Sequence, residues 1–522
     1  MESAALVDVR LSFGPVRALD GVSVRFEAGR VHALLGENGA GKSSAMRVLF
    51  GLERPDAGAI EIDGAAVAWG SARQAIGRGL GMVHQHFVLV DDMTVLENVV
   101  LCAEPDAGAG FVAISRARAA LAELAAEHGL DLDPDARVGD LPVGARQLVE
   151  IARTLHRGAR LLVLDEPTAT LVPAERDALF SICRTLTAAG VGVVFVTHKL
   201  DEVLAIADEA TVLRRGRVVA RHRIDRAAGP EALAALRESL AREIVGGALP
   251  APLERAARAP AAVALELDGL RCREGALAVG PVSLALRGGE IVALAGVSGN
   301  GQGAIVRAIL GLEPVAGGTV RLLGGPVDGF DLDARRRAGL AWIPEDRERT
   351  GLAIGASVAD NAGAVALVQG GLRRGPFVAR GALHRFAAAL VKRWDVAAAG
   401  TATPARALSG GNRQKLVVGR ELALDTPVVI AENPTRGIDI GAIDRVHRAL
   451  VALRDAGRAV LLVSTELDEA LALADRIVVL ANGRVAGELA RGEADAARLG
   501  ALMTGGAPAP PKTPGAARVR AA

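Results

Sequence analysis

The stretch Gly36-Glu-Asn-Gly-Ala-Gly-Lys-Ser43 has the spacing G-x-x-x-x-G-K-S, between the apolar run VHALL and a segment with a helical pattern. Its glycines let backbone N–H groups wrap phosphates at a helix N-terminus, where the helix dipole also favours anions. Lys42 would reach the β- and γ-phosphates of a nucleotide, and Ser43 would ligate Mg²⁺. The alternative is a glycine-rich turn before an ordinary helix, and the flanking segments argue against it.

The chain repeats its landmarks once. The first two pairs are 260 residues apart, Gly36 with Gly296 and Gln85 with Glu345. The next three are 267 apart, Leu141 with Leu408, Pro167 with Pro434 and Leu200 with Leu467. Five landmarks in one order at two fixed offsets indicate a tandem duplication, with about seven extra residues in the second half. The second loop, Gly296-Val-Ser-Gly-Asn-Gly-Gln-Gly303, lacks the lysine.

Length and composition fit two intracellular domains. A chain of 522 residues exceeds one compact core. Lys+Arg number 61 and Asp+Glu 60, so the net charge is close to zero and does not indicate binding to nucleic acid. No apolar run is long enough to span a bilayer, the start resembles no export signal, and the three scattered cysteines suggest neither disulfides nor a metal site. We predict domains over 1–246 and 263–506, a linker over 247–262 and a disordered tail over 507–522.

The patterning predicts the same α/β architecture in both halves. Alternating segments such as VSVRFEAG suit antiparallel strands, and apolar runs such as LLVLDEP and VVFVTH suit buried strands of a mixed or parallel sheet. A predominantly helical stretch that includes SRARAALAELAAEHG separates the loop from the acidic strand. Each half is therefore predicted to have a mixed-sheet core, an antiparallel β subdomain and a helical insertion.

Polar residues at strand ends predict phosphoryl-transfer chemistry. Asp165 ends a buried strand and would lie beside the metal, while Glu166 would polarise the attacking water. His198 follows VVFVT and could contact the γ-phosphate, and Gln85 could touch both metal and water. Taken alone, the acidic pair could be a solvated turn and the histidine structural; the complete phosphate loop upstream favours the catalytic interpretation.

These motifs, together with Leu408-Ser-Gly-Gly-Asn412, resemble those of ABC-type ATPases over nearly the whole chain. In that family two domains stack head to tail, and each ATP lies between the phosphate loop of one domain and the LSGGN-type signature of the other. The resemblance implies ATP and Mg²⁺ as ligands, Glu166, His198 and Gln85 as catalytic residues, and Ser43, Gln85 and Asp165 at the metal. The nucleotide-binding residues it implies are Phe13, Gly36, Glu37, Asn38, Gly39, Ala40, Gly41, Lys42, Ser43, Ser44, Ser409, Gly410, Gly411 and Asn412.

Phe13 has two interpretations. It matches the aromatic residue that stacks on adenine in the family, and an apolar core phenylalanine is the alternative. The equivalent region of the second half, LRCREGAL, contains no aromatic residue.

The resemblance also implies that the second nucleotide site is degenerate. Gln302 replaces the lysine, Gly303 the metal-binding hydroxyl and Thr465 the histidine. In AENPT, Glu432 stands at the metal-ligand position and Asn433 at the catalytic glutamate. Its partner signature is LPVGA, where a proline, Pro142, replaces the serine. We therefore expect hydrolysis at one site, while nucleotide binding at the second stays open.

The finer pattern is similar to the tandem ATPase subunit of bacterial simple-sugar importers, and most similar to the branch linked to nucleoside uptake with a lipoprotein receptor. This implies a peripheral protein on the cytoplasmic face of the inner membrane, two separate permease subunits and, indirectly, the lipoprotein. Two stretches would dock the permeases: the first coupling segment, Gln85–Asn98, and the second coupling segment, Glu345–Asn361. Phe87 and Val88 could line the groove in which the permease docks, or they could be buried in the core of the helical insertion.

Three other classes compete with the importer. A soluble tandem ATPase acting on ribosomes would carry two catalytic glutamates and a long charged linker, whereas this chain has Asn433 and an Ala/Pro linker. A DNA-repair ATPase of the family would need large insertions, often with zinc-binding cysteine pairs. A regulatory ATPase that binds nucleotide without transport is the third alternative.

Overall fold

The computed structural model describes residues 1–14, 16–37, 39–84, 87–105, 113–168, 171, 173–247, 253, 255, 261–297, 299–438 and 440–503. The chain divides into two compact units, Met1–Pro250 and Ala251–Ala522. The predicted disordered tail lies outside the described residues, as does most of the predicted linker.

The first unit contains ten strands and eight α-helices within the described residues. The strands are β1 Ser3–Phe13, β2 Val16–Glu27, β3 Val31–Leu35, β4 Ala57–Ile62, β5 Ala65–Val67, β6 Leu80–Val83, β7 Leu161–Asp165, β8 Gly192–Thr197, β9 Glu209–Arg214 and β10 Arg217–Arg223. The helices are α1 Lys42–Leu49, α2 Ala72–Gly77, α3 Val95–Val100, α4 Ile114–His128, α5 Val143–His156, α6 Pro173–Ala188, α7 Leu200–Ile206 and α8 Pro230–Val245.

The second unit repeats this series with additions. Its strands are β11 Val263–Glu274, β12 Leu277–Arg287, β13 Ile291–Ala295, β14 Gly317–Leu322, β15 Gly325–Pro326, β16 Leu340–Ile343, β17 Arg373–Arg374, β18 Phe377–Val378, β19 Val428–Glu432, β20 Ala459–Ser464, β21 Arg476–Ala481 and β22 Arg484–Ala490. Its helices are α9 Gln302–Leu310, α10 Leu332–Arg337, α11 Val358–Val368, α12 Arg380–Trp394, α13 Gly410–Leu422, α14 Ile440–Asp455, α15 Leu467–Leu473 and α16 Ala496–Met503, with a π-helical turn at Arg347–Gly351.

Each unit has the two sheets that the sequence predicts. The four-stranded antiparallel sheets have the orders β2-β1-β4-β5 and β12-β11-β14-β15. The six-stranded sheets have the orders β10-β9-β3-β8-β7-β6 and β22-β21-β13-β20-β19-β16, which are equivalent. In each six-stranded sheet all neighbours are parallel except one antiparallel edge pair, β9 with β10 and β21 with β22. The predicted mixed-sheet core is confirmed.

Burial explains the two strand patterns. All residues of β3, β7, β13 and β19 are buried, as expected for central parallel strands covered on both faces. Strand β2 alternates, and its inward side chains Leu19, Val22 and Val24 join a core with α1. The described helices include none that is both long and apolar enough to cross a membrane.

The sheet order places the site residues together. Strands β3, β8 and β7 are neighbours, and parallel strands of one sheet have their carboxyl ends at the same edge. The phosphate loop follows β3, Asp165 is the last residue of β7 with Glu166 directly after it, and His198 follows β8. The phosphate loop, the acidic pair and the histidine of the first half therefore lie at one edge of one sheet.

Candidate functional site

The phosphate loop joins β3 to α1. Gly41, the last loop residue, has φ 105° and caps the helix, and a Cβ there would lie 2.6 Å from the carbonyl oxygen of Ala18. A Cβ at Gly36 would lie 2.3 Å from the carbonyl oxygen of Leu213. Only glycine fits these two positions, so the loop can turn tightly with its N–H groups and the helix N-terminus on one side.

Lys42 reaches back over this loop. Its Nζ donates to the carbonyl oxygens of Gly36 at 2.7 Å and Glu37 at 3.0 Å, and its side chain is buried. Burial lowers the pKa of Lys42, while the carboxylates of Glu166 and Asp165 act in the opposite direction. The ammonium group is therefore held at the loop, where a lysine can contact nucleotide phosphates.

The other predicted nucleotide-binding residues of the first half have these positions. Gly39 and Ala40 belong to the loop, and Ser43 and Ser44 to the first turn of α1. Phe13 ends β1 and is 47% exposed, so its interpretation as a core residue is wrong, while adenine stacking stays a prediction. Asn38 and Gln85 lie outside the described residues.

Asp165 and Ser43 form an oxygen pair. The Ser43 hydroxyl is hydrogen-bonded to the Asp165 carboxylate. Burial raises the pKa of Asp165, while this hydrogen bond and the charges of Lys42 and Arg47 lower it. A hydroxyl and a carboxylate beside a phosphate loop are the oxygen ligands that Mg²⁺ takes in nucleotide sites. The donor set of the first half therefore fits this ion.

Glu166 is held in an uncommon backbone conformation. Its φ is 48°, in the left-handed region that few residues other than glycine adopt, and its N–H donates to the Val196 carbonyl at 2.9 Å. Nδ1 of His198 lies 3.2 Å from Oε1 of Glu166. Burial raises the pKa of Glu166, but the hydrogen bond and charge of His198 and the charge of Lys42 outweigh it and leave this pKa below its usual value. The carboxylate is therefore ionised at neutral pH and oriented by His198.

The second half keeps this backbone and loses the carboxylate. Asn433 has φ 41°, and its N–H donates to the Val463 carbonyl at 2.7 Å, as Glu166 does to Val196. Its Oδ1 accepts hydrogen bonds from the N–H of Thr465 at 2.9 Å and from the Thr465 hydroxyl at 3.2 Å. A neutral amide cannot accept the proton of an attacking water, so this position lacks a general base.

The second loop, Gly296–Gly303, has a backbone similar to that of the first loop but lacks the positive charge of Lys42. Gly301 has φ 104° and caps α9, as Gly41 caps α1. The buried Gln302 donates from Nε2 to the Val297 carbonyl at 3.2 Å, the position equivalent to Glu37. The loop shape thus depends on a side-chain donor reaching back to a loop carbonyl, and glutamine satisfies this need with no positive charge for phosphate.

The metal position of the second half holds protein groups instead. The Trp342 indole donates from Nε1 to Oε1 of the buried Glu432 at 2.6 Å. Burial raises the pKa of Glu432 to about 7, although the indole hydrogen bond acts in the opposite direction. Gly303 stands where the first half has Ser43 and its hydroxyl. A Cβ on Gly303 would lie 2.9 Å from Nη1 of Arg307, so the Arg307 guanidinium is next to this position. A guanidinium and a capped, readily protonated carboxyl do not fit Mg²⁺.

The signature of the second half begins α13. Ser409 is the exposed N-cap of this helix, and its Oγ accepts from the Asn412 N–H at 3.4 Å and from Nδ2 of Asn412 at 2.8 Å. Asn412 is fixed in turn by Ala397, whose N–H donates to Oδ1 at 2.8 Å. Gly410 and Gly411 are the first two residues of the helix, where amides have no intrahelical acceptor. This terminus is suited to an anion.

The equivalent helix of the first half lacks these groups. Pro142 is the N-cap of α5 and makes no side-chain capping hydrogen bond. Proline has neither a hydroxyl nor an N–H, although its backbone angle suits a helix start. The two signatures therefore differ in what they can offer to phosphate.

In both coupling segments an asparagine side chain hydrogen-bonds the backbone of a residue eight positions earlier. In the first, the buried Asn98 donates to the Val90 carbonyl at 3.1 Å and accepts from the Val90 N–H at 2.9 Å. In the second, Asn361 makes the same pair of bonds with Ala353, both at 2.9 Å. Val88 is 57% exposed and Phe87 is half-buried, so burial in the insertion's core is wrong for Val88.

Three features of the site were not predicted from the sequence: the Trp342–Glu432 hydrogen bond, Arg307 at the missing hydroxyl and the hydrogen bond of Lys42 to its own loop. The Trp342–Glu432 hydrogen bond could have been suspected from the sequence. The residue equivalent to Trp342 in the first half, 260 positions earlier, is Met82, whose side chain has no hydrogen-bond donor. Comparison of the two halves does not predict the position of Arg307, because the equivalent residue, Arg47, is also an arginine. The replacement of Ser43 by Gly303 makes room for the Arg307 guanidinium.

Comparison with known proteins agrees with this geometry. A family model described as ABC transporter matches residues 19–169 and 279–436. The nucleoside import ATP-binding protein NupA of Lactococcus lactis subsp. cremoris is 39% identical over 503 residues, covering 96% of this chain and 98% of NupA. The ribose import ATP-binding protein RbsA 1 of Streptomyces avermitilis is 39% identical over 486 residues, covering 93% of this chain and 90% of that protein.

Among solved structures, the RNase-L inhibitor has a TM-score of 0.58, covering 91% of this chain and 87% of that one at 18% identity. At this identity the likeness concerns the fold alone.

Proposed function

This chain belongs to the ABC transporter family, and we propose that it is the ATP-hydrolysing subunit of an importer for a nucleoside or a simple sugar. The observation that carries the proposal is the asymmetry of the two halves. Lys42, Glu166 and His198 meet in the first half, whereas the second has Gln302, Asn433 and Thr465 at the equivalent positions.

ATP is the substrate that the first half is built to bind. The loop Gly36–Ser43 would hold the phosphates, with the ammonium of Lys42 moving from the loop carbonyls to the β- and γ-phosphate oxygens. Glu166 would accept a proton from water as the water oxygen bonds to the γ-phosphorus and the bond to ADP breaks. Its ionised state and its contact with His198 support this role.

The Mg²⁺ ion would be held by Ser43 and Asp165, with Gln85 as a further predicted ligand. When bound, Mg²⁺ supplies charge neutralisation at the phosphate oxygens. The Ser43–Asp165 contact supports this assignment because it places two oxygen ligands side by side.

The signature of the second half would complete the site. In the family, a signature serves the phosphate loop of the opposite domain, so we assign Ser409, Gly410, Gly411 and Asn412 to the ATP held by Lys42. The exposed N-cap of α13 and the first amides of this helix support this role, because they offer a hydroxyl and N–H groups to an anion.

Import ATP-binding subunits of this family act with membrane permeases. We propose two separate permease subunits, docked on the coupling segments, with the chain peripheral on the cytoplasmic face of the membrane and a substrate-binding lipoprotein as an indirect partner. Because NupA and RbsA 1 are equally identical to this chain, the substrate class stays a nucleoside or a simple sugar.

Purification of the tagged full chain from its native membranes tests this function. We expect two integral-membrane proteins to co-purify, and vesicles of the complex to take up a labelled nucleoside or pentose only with ATP. Co-purification with ribosomes and no membrane protein would overturn the importer assignment in favour of the ribosome-acting class. The family relationships over nearly the full chain favour the first outcome.

A further inference from the structure

The π-helical turn Arg347–Gly351 packs against the start of α13, and Arg347 lies at the centre of this contact. Its Nη1 donates to the carbonyl oxygen of Arg436 at 3.0 Å. Its guanidinium lies so close to Gly410 and Gly437 that a Cβ on either would be 2.9 Å from one of its terminal nitrogens. Arg347 therefore contacts both the first residue of the signature helix and the segment that follows β19.

Two ion pairs reinforce this contact. Arg436 is paired with Glu345 at 2.5 Å, and Arg413, in the first turns of α13, is paired with Glu348 at 2.6 Å. One hydrogen bond adds to them, donated by the side-chain Nη1 of Arg420 to the backbone carbonyl of Gly351 at 2.9 Å. The second coupling segment is thus attached to α13 at both ends of the π-helical turn.

The first half lacks the residues for an equivalent contact. The offsets of 260 and 267 residues pair Arg347 with Phe87, Gly410 with Val143 and Gly437 with Thr170. Phenylalanine donates no hydrogen bond, and both glycines that leave room for the guanidinium are replaced by residues with a Cβ. The arginine therefore occurs only in the half whose signature keeps its serine and glycines.

The charge of Arg347 also needs an explanation. A cation at a helix N-terminus is disfavoured by the helix dipole, and Arg347 lies against the first residue of α13. The negative charges of Glu348 and Asp346 act in the opposite direction, so the guanidinium is held at this place by carboxylates of its own π-helical turn and the residue before it.

We propose that Arg347 is a positioning residue for ATP hydrolysis: it fixes the N-terminal turn of α13, which carries Ser409, to the second coupling segment. This rests on the proposed function, in which Ser409 serves the ATP bound at Lys42. Movement of a permease at the second coupling segment would then be transmitted to the signature through Arg347, and closure around ATP would depend on it.

Steady-state hydrolysis by the full chain tests the proposal. Arg347→Ala removes the guanidinium and should lower kcat/KM for ATP by about tenfold or more, the scale of a lost charge-assisted hydrogen bond. Equilibrium ATP binding without turnover should stay within about twofold, because the phosphate loop with Lys42 is unchanged. Arg347→Lys, which keeps a charge and a donor, should recover part of the loss. Arg373→Ala, at an exposed arginine of β17, is the matched control and should leave hydrolysis unchanged.

A double variant separates positioning from folding. If Glu345 and Arg347 act in one network, adding Glu345→Gln to Arg347→Ala should cost less than the two single losses combined. The proposal is overturned if the folded Arg347→Ala variant hydrolyses ATP within about twofold of the unmodified chain. It is also overturned if equilibrium ATP binding and the melting temperature fall together with turnover, which is the behaviour of a merely structural residue.

Ser409→Arg distinguishes a failure here from a failure of the proposed function. If Ser409→Arg abolishes hydrolysis and Arg347→Ala does not, only the role of Arg347 is wrong. If neither variant changes hydrolysis, the assignment of the second signature to the working site is itself wrong.

Discussion

Replacing Glu432 by glutamine should change how the stability of the second unit depends on pH. The Glu432 side chain is buried at the end of β19 and accepts a hydrogen bond from the Trp342 indole. Burial raises the pKa of this carboxyl from 4.5 to about 7. Glutamine keeps the shape and the acceptor oxygen and has no charge to desolvate.

The magnitude follows from linkage. The folded state binds the Glu432 proton more tightly than the unfolded state does. The contribution of this carboxyl to the free energy of unfolding is therefore fully present below pH 4.5 and is lost as the pH rises towards about 7. The difference between the two pKa values corresponds to about 3 kcal/mol at alkaline pH. Between pH 5 and pH 8, Glu432→Gln should therefore gain about 2–3 kcal/mol of stability relative to the unmodified chain.

Denaturant unfolding of both proteins at pH 5, 6, 7 and 8, followed by tryptophan fluorescence, measures this gain. Asp268→Asn, at an exposed carboxylate of β11, controls for the loss of one negative charge. A difference in unfolding free energy that is the same at all four pH values would refute the reasoning. It would show that the pKa of Glu432 is the same in the folded and the unfolded chain, so that the carboxyl is ionised in the folded chain at pH 7.

Three further predictions concern catalysis and coupling. Glu166→Gln should retain ATP binding and lower phosphate release by about 10²–10⁴-fold, the usual range for a positioned base, while Asn433→Gln should change turnover little; normal turnover in Glu166→Gln would remove that residue from the role. Ser409→Arg should abolish hydrolysis in well-folded protein, whereas Pro142→Arg should reduce it far less, and equal damage would contradict one working site. Photocrosslinkers placed in the two coupling segments should capture the permeases in an active complex, and no crosslinks there would count against docking.

The fold could be predicted from the sequence because local patterns and long-range topology agreed. Apolar runs of five or six residues that end in Asp165 or precede His198 had to be central strands, and these are fully buried in β7 and β8. The helical pattern around EALAALRESLAREIV, followed by two glycines, is α8, with Gly246 in the left-handed conformation. The duplication then predicted the shared elements of the second half from the first, but not its additions β17, β18 and the π-helical turn.

The contacts that distinguish the halves could not be predicted in the same way. A landmark comparison shows that Ser43 is replaced by Gly303, but not that Arg307, one helical turn later, fills the space. It shows an arginine after Glu345, but not that two glycines from separate motifs leave room for its guanidinium. The Arg347 contact depends on side-chain directions across elements far apart in sequence, and residue spacing carries no information about it.

The preserved backbone of the second half indicates why it is kept. Asn433 still has the left-handed conformation of Glu166, and Gln302 still bonds a loop carbonyl, although neither residue can do the chemistry of its counterpart. β19 leads through Asn433 into Arg436 and Gly437, which contact Arg347, and Arg347 also lies against the first residue of α13. If the proposed functions hold, the second half has retained the shape of an ATPase in order to present Ser409.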